Sequence, residues 1–148
     1  MSETRRKQQR GGSALETALL LPWFIFLFVG AYDWGFYAHA LVSTEAAARA
    51  AVLYTSSDST LATDPHGEGC SIVLDELRIV SNVGSSTTTC TSSPVIASFT
   101  SVTGADNQPA AQVSVAYTTM QLIPIPGLLE AKATFYRVAQ MRIWGGLS

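Results

Sequence analysis

Charge is scarce in this sequence, and its absence from one stretch is the first structural constraint. Charged residues make up 14% of the 148 positions, and no Asp, Glu, Lys or Arg lies between Glu16 and Asp33. The formal net charge of -2 leaves no basic stripe of the kind that binds nucleic-acid phosphates. We therefore expect no nucleic-acid partner.

Residues that perform catalysis or hold cofactors are also few. The two histidines, His39 and His66, fall at an outer helix position and in a loop, and the sequence shows no nucleophile-base constellation. The glycines do not follow the spacing of phosphate or dinucleotide loops. No Cys-x-x-Cys or histidine pair indicates a metal site. We expect no enzymatic activity, no cofactor, no metal and no small-molecule substrate.

What the sequence does contain is one long apolar segment, at residues 11–35. A helix through its uncharged part rises about 1.5 Å per residue and covers roughly 24 Å, which with its apolar flanks approaches a hydrocarbon core of about 30 Å. Basic residues crowd its N-terminal side, and the first one after it is Arg49. The ones before it are Arg5, Arg6, Lys7 and Arg10. The positive-inside bias predicts a single-pass membrane protein with a cytoplasmic N-terminus and an external C-terminal part.

The helix is expected to continue past the membrane, because the alanine-rich stretch from Leu41 to Tyr54 has high helical propensity. We divide the chain into a basic cytoplasmic leader (1–11), a transmembrane and extended helix (12–57) and an extracytoplasmic domain (58–148). With about ninety residues, that last part has room for one small core.

The external domain has a mixed pattern. Apolar residues at helical spacing predict a short amphipathic helix over 71–83, with a strand as the alternative. Strand-like runs follow at 95–102, 111–118 and 132–144. An antiparallel sheet of three strands, with one face covered by the long helix, would bury these alternating faces. The expected fold class is α+β.

Two cysteines, Cys70 and Cys90, both lie beyond the membrane segment, where an oxidising compartment would allow them to pair. A disulfide would close a loop of about twenty residues and stabilise a small domain by around 3 kcal/mol. Two reduced cysteines buried apart are the alternative.

One acid, Glu16, stands at the start of the apolar helix. Ser13 as N-cap with Glu16 at the third helical position would form a capping box. That interpretation leaves an acid at the membrane boundary, where an ionisable residue is costly and by default suggests a function.

The arrangement of a basic leader, Gly11, Gly12 and then Glu16 resembles the processing pattern of type IV prepilins. With Leu21-Pro22 and Asp33-Trp34-Gly35, the run is similar to TadE-like minor pseudopilins of tight-adherence (Flp) pili, although Thr17 stands where that family usually has an aromatic residue. The resemblance implies that a prepilin peptidase cuts after Gly11. Gly12 would then be the first residue and Glu16 the fifth.

Physical chemistry explains why those residue types suit that process. Glycine gives the peptidase an unhindered backbone at the cut. Glu16 could then pair with the new N-terminal ammonium of a neighbouring subunit, and because such a pair is favoured over either charge alone in low dielectric, it would fix the register of assembly.

The resemblance implies a minor pseudopilin or assembly component, held in a bacterial inner membrane, whose partners are a prepilin peptidase, other pilin subunits and the pilus machinery. Surface adhesion could be direct or only a consequence of the pilus. Two alternatives remain. Signal peptidase could cut after Ala38-His39-Ala40 and release a secreted domain starting at Leu41, or an uncleaved signal anchor could present a surface-binding module.

Overall fold

A computed structural model describes residues 3–80, 82–85, 87–120 and 132–144, with side chains from residue 14 onward. It confirms the α+β class. Two compact units are present, Met1–Phe36 and Tyr37–Ser148. The elements in chain order are α1 (Glu3–Thr55), α2 (Glu68–Leu77), β1 (Thr91–Ser92), β2 (Val95–Thr103), β3 (Pro109–Thr118) and β4 (Thr134–Arg142).

Helix α1 is 53 residues long and includes Pro22. It begins at Glu3, so Ser13 lies inside the helix and the capping-box interpretation of Ser13 and Glu16 is wrong. It ends where hydroxyl side chains bind its own carbonyls: Ser56 Oγ donates to Leu53 O at 3.1 Å and Ser57 Oγ to Tyr54 O at 2.7 Å. Such local bonds compete with helix propagation and explain why the helix stops in this serine-rich stretch.

Within Ala14–Thr55, α1 contains a stretch that is long and apolar enough to cross a membrane, and no residue of that stretch is buried in the chain. Its mean hydropathy is 1.9. The prediction of one apolar N-terminal helix suited to a membrane is therefore confirmed.

In the described residues the sheet has four antiparallel strands in the order β1-β2-β3-β4, one more than predicted. The extra strand, β1, is two residues long, too short for side-chain alternation to be visible in a sequence. The other three predictions correspond to β2, β3 and β4. Ala111, Val113, Val115 and Tyr117 of β3 are buried on one face, as their alternation predicted.

The part of α1 in the second unit packs against that face. Its buried residues recur at helical spacing, and the Tyr37 ring lies edge-on to Phe135 of β4 with 6.3 Å between centroids. The buried set is Ala40, Thr44, Ala47, Ala48, Ala51, Val52 and Thr55. Most of these side chains are small.

Helix α2 begins three residues before the predicted start and ends at Leu77, whereas the sequence predicted helix to residue 83. Beyond Leu77 the chain makes turns instead, with Val80 N–H donating to Leu77 O and Val83 N–H to Val80 O. Gly69 lies against β2, because a Cβ there would come within 2.8 Å of the Phe99 ring.

Candidate functional site

The predicted processing residues all lie on α1. Gly11 and Gly12 are within the helix, and Glu16 is exposed. Gly12 and Glu16 are four residues apart, which places them one turn apart on the same side of the helix. Within one chain, therefore, the acid and the proposed new N-terminus lie next to each other along the helix axis.

Large apolar side chains surround Glu16 and continue beyond it. Leu15 and Leu19 are 66% and 73% exposed, and the rings of Trp23 and Phe26 stack with centroids 6.4 Å apart. Consecutive residues from Leu19 to Phe28 project in every direction around the axis, and most are large and apolar. A helix that is apolar all round requires lipid or neighbouring helices on every side.

Asp33 ends the uncharged run of α1. The residue is 2% exposed, and neither carboxylate oxygen has a hydrogen-bond partner among the described residues. No local pattern signals this burial, since Asp33 is flanked by the exposed residues Tyr32 and Trp34.

Cys70 and Cys90 are joined by a disulfide with an S–S distance of 2.08 Å and 5.8 Å between Cα atoms. The bond ties the first turn of α2 to the residue immediately before β1. It therefore restrains the long connection between α2 and the sheet.

Two titratable groups of the second unit have shifted pKa values, and both have structural explanations. The backbone N–H and hydroxyl of Thr60 donate to the Asp58 carboxylate and lower the pKa of Asp58, in the turn that follows α1. Burial raises the pKa of Tyr117 to about 12. His39 and His66 are both exposed. In the described part of the chain, no group of three or more His, Cys, Asp or Glu residues is arranged to hold a metal ion.

Comparison with known proteins points to the same region. The family model described as TadE-like protein matches residues 11–53, which include Gly11, Gly12 and Glu16 and most of α1. The resemblance to TadE-like proteins is confirmed over that segment and supports a component associated with tight-adherence pili. No curated protein and no solved structure matches the chain.

Proposed function

Because residues 11–53 are TadE-like, we propose that this chain is a minor pseudopilin, or assembly component, of a tight-adherence type IV pilus. It is made as a precursor in a bacterial inner membrane, with a cytoplasmic N-terminus and an external C-terminal part. A prepilin peptidase removes the leader after Gly11. Its role is structural rather than enzymatic, and it acts through α1 in pilus biogenesis.

The observation that carries this proposal is an exposed acid, Glu16, on a helix that is apolar on every side. A lone carboxylate in lipid is costly, so Glu16 favours a cationic partner. Cleavage after Gly11 would create one, the ammonium of Gly12. Helix capping does not account for an acid at position 16, because α1 begins thirteen residues earlier, at Glu3.

In an assembly of parallel helices, the Gly12 ammonium of one subunit would meet the Glu16 carboxylate of its neighbour. Their attraction is strong where water is excluded, and a helix shifted along its axis would leave both charges unpaired. The pair would therefore select one axial register, while the surrounding leucine and aromatic side chains provide non-specific packing.

Removal of the leader is tested by measuring the intact mass and N-terminal sequence of the protein recovered from membranes of its native cells. We expect a chain that begins at Gly12. Gly11→Ala should accumulate as the precursor, because the added methyl group hinders the peptidase at the residue before the cut. Gly12→Ala is the matched control and should still be processed. A wild-type chain with its basic N-terminus intact, or one that begins at Leu41, would contradict the proposal.

The assembly role is tested with Glu16→Ala and Glu16→Gln. Both variants should insert into the membrane at wild-type levels and be lost from sheared pili or from crosslinked pilus complexes. Glu76→Ala, which removes an exposed acid from α2, should assemble normally. Equal incorporation of the Glu16 variants and wild type would rule out a register role for Glu16.

A further inference from the structure

Among the strands that the structure describes, β4 lies at one end of the sheet, and half of its backbone groups point away from β3. Ile143 N–H donates to Pro109 O across the pair, at 3.0 Å. Because the direction of these groups alternates along an antiparallel strand, odd-numbered residues of β4 bond to β3. The backbone N–H and C=O of Tyr136, Val138 and Gln140 therefore point to the outer edge.

A groove runs beside this edge, between α1 and β4 within the second unit. Its volume is about 590 Å³, enough for several side chains of an extended peptide. The helix side is formed by Glu45, Ala48, Arg49, Val52 and Leu53, and the strand side by residues 137–141. Small residues on both sides, such as Ala48 and Ala139, leave this space open.

The groove contains a cation, Arg137, that has no counter-ion among the described residues. Arg137 is paired with Val115 in the sheet register, so its side chain lies on the face of the sheet that α1 covers. Its guanidinium donates to the outward carbonyl of Tyr136 at 3.1 Å. Arg49, by contrast, pairs with Glu45. No carboxylate lies within ion-pair distance of Arg137 in the part of the chain that the structure describes.

We propose that this groove binds an extended acidic segment of another protein, which adds to β4 as a further strand along residues 136–140. Backbone hydrogen bonds to the outer edge would supply affinity. A carboxylate beside Arg137 would supply specificity and take over the guanidinium from the Tyr136 carbonyl, freeing that carbonyl for the added strand. The proposal rests on β4 and its groove and does not depend on leader processing.

The geometry also defines the sequence of the bound segment. Residues two positions before and after the acid would share its face and lie beside Phe135 and Ala139, so apolar side chains fit there. The expected pattern is apolar-x-acid-x-apolar. A second copy of β4 does not meet it, because β4 contains two arginines and no acid, and pairing two copies would bring like charges together.

Hydrogen exchange and peptide binding test the proposal on the full chain in lipid nanodiscs. In the free protein, the amides of Tyr136, Val138 and Gln140 should exchange much faster than those of Arg137 and Ala139, which bond to β3. A fluorescent peptide of alternating Thr and Val with one central Glu should bind and protect those three amides. The same peptide with Lys in place of Glu should bind about tenfold more weakly.

Two pairs of variants separate the backbone from the charge. Val138→Pro removes one outward N–H, which makes no bond to β3, and should weaken binding of the Glu peptide about tenfold. Val138→Ala keeps this N–H and should bind the peptide within about threefold of wild type. Arg137→Glu should reverse the preference toward the Lys peptide, and Arg137→Gln should abolish the preference. An intact Cys70–Cys90 disulfide and an unchanged near-UV spectrum will show that each variant is folded.

Several results would overturn this proposal. Slow exchange of the Tyr136, Val138 and Gln140 amides in the free protein would mean that the edge is already paired. Binding of the Glu peptide that is unchanged by Val138→Pro or by Arg137→Glu would place the peptide elsewhere. A dimer that Val138→Pro converts to a monomer would identify the occupant as a second copy of the chain. None of these results would affect processing after Gly11, which tests the proposed function separately.

Discussion

The hydroxyl of Tyr117 donates a hydrogen bond to Oδ1 of Asn82, a residue 35 positions away in the turns that follow α2. Nδ2 of Asn82 in turn donates to the carbonyl of Thr118 at 2.8 Å. Tyr117 is fully buried, so its hydroxyl has no access to water and depends on this partner. The pair fastens the connection after α2 to the central strand β3.

Tyr117→Phe should lower the free energy of unfolding by about 1–2 kcal/mol, because it leaves the Asn82 carbonyl oxygen without this donor while keeping the ring in the core. Tyr136→Phe is the matched control: that side chain is 59% exposed and its loss of a hydroxyl should change stability by less than about 0.5 kcal/mol. Urea unfolding of the full chain in detergent micelles, followed by near-UV circular dichroism, measures both. Equal effects would show that the buried bond contributes nothing.

Tyr117 should also make stability depend on alkaline pH. Its pKa is raised from 10.0 to about 12 by burial, so the native state keeps its proton where the unfolded chain has lost it. This contribution is fully present below pH 10 and is lost as pH rises from 10 toward 12. The free energy of unfolding of wild type should therefore fall more steeply across that pH range than that of Tyr117→Phe. Parallel curves would contradict the assigned cause.

The disulfide should stabilise the second unit. Replacing Cys70 and Cys90 by serine removes the restraint on a loop of about twenty residues and should lower the free energy of unfolding by around 3 kcal/mol in the chain-entropy model. A reducing agent should shift the wild-type unfolding curve by a similar amount. The serine variant is the control and should not respond. A shift in that variant would mean that the reductant acts on something else.

Residue patterns that are local in sequence predicted the fold well. The apolar run predicted α1. The alternation in β3 predicted the buried residues of one face, whereas Ser114, which it placed on the opposite face, is also buried. The limits of α2 were harder, because its N-cap position is Gly67, which has no side chain, and the capping carboxylate comes from Asp64. Strand β1 was too short to show a period.

The candidate sites also differ in whether their residues are close together in the sequence. Gly11 and Glu16 form a linear motif, so their spacing along the chain is enough to suggest a role. The groove brings together Ala48 and Ala139, which lie near opposite ends of the second unit's sequence, and no short-range pattern signals that proximity. The position of β4 at the edge of the described sheet depends on strand order, which alternation does not specify.

Asp64 should be the main cap of α2. Its two carboxylate oxygens accept the N–H groups of Gly69 and Cys70 at 2.8 and 2.9 Å. Asp64→Asn removes the charge and one acceptor, tolerates the left-handed backbone there (φ 50°), and should cost about 1 kcal/mol. Asp75→Asn is the control, because its ion pair with Arg78 is exposed and should be worth less than about 0.5 kcal/mol. Equal losses would argue against the cap.

Close packing of α1 on the sheet can be tested with two neighbouring alanines. Ala47 is fully buried, whereas Ala46 points to solvent. Ala47→Leu should lower the free energy of unfolding by about 1–3 kcal/mol, because a leucine has no space between helix and sheet. Ala46→Leu should change it little, since alanine and leucine have similar helix propensities. Both are measured by urea unfolding of the full chain in micelles. If Ala47→Leu were as stable as Ala46→Leu, α1 would not be held closely against the sheet, and the groove beside β4 would lose its helix wall.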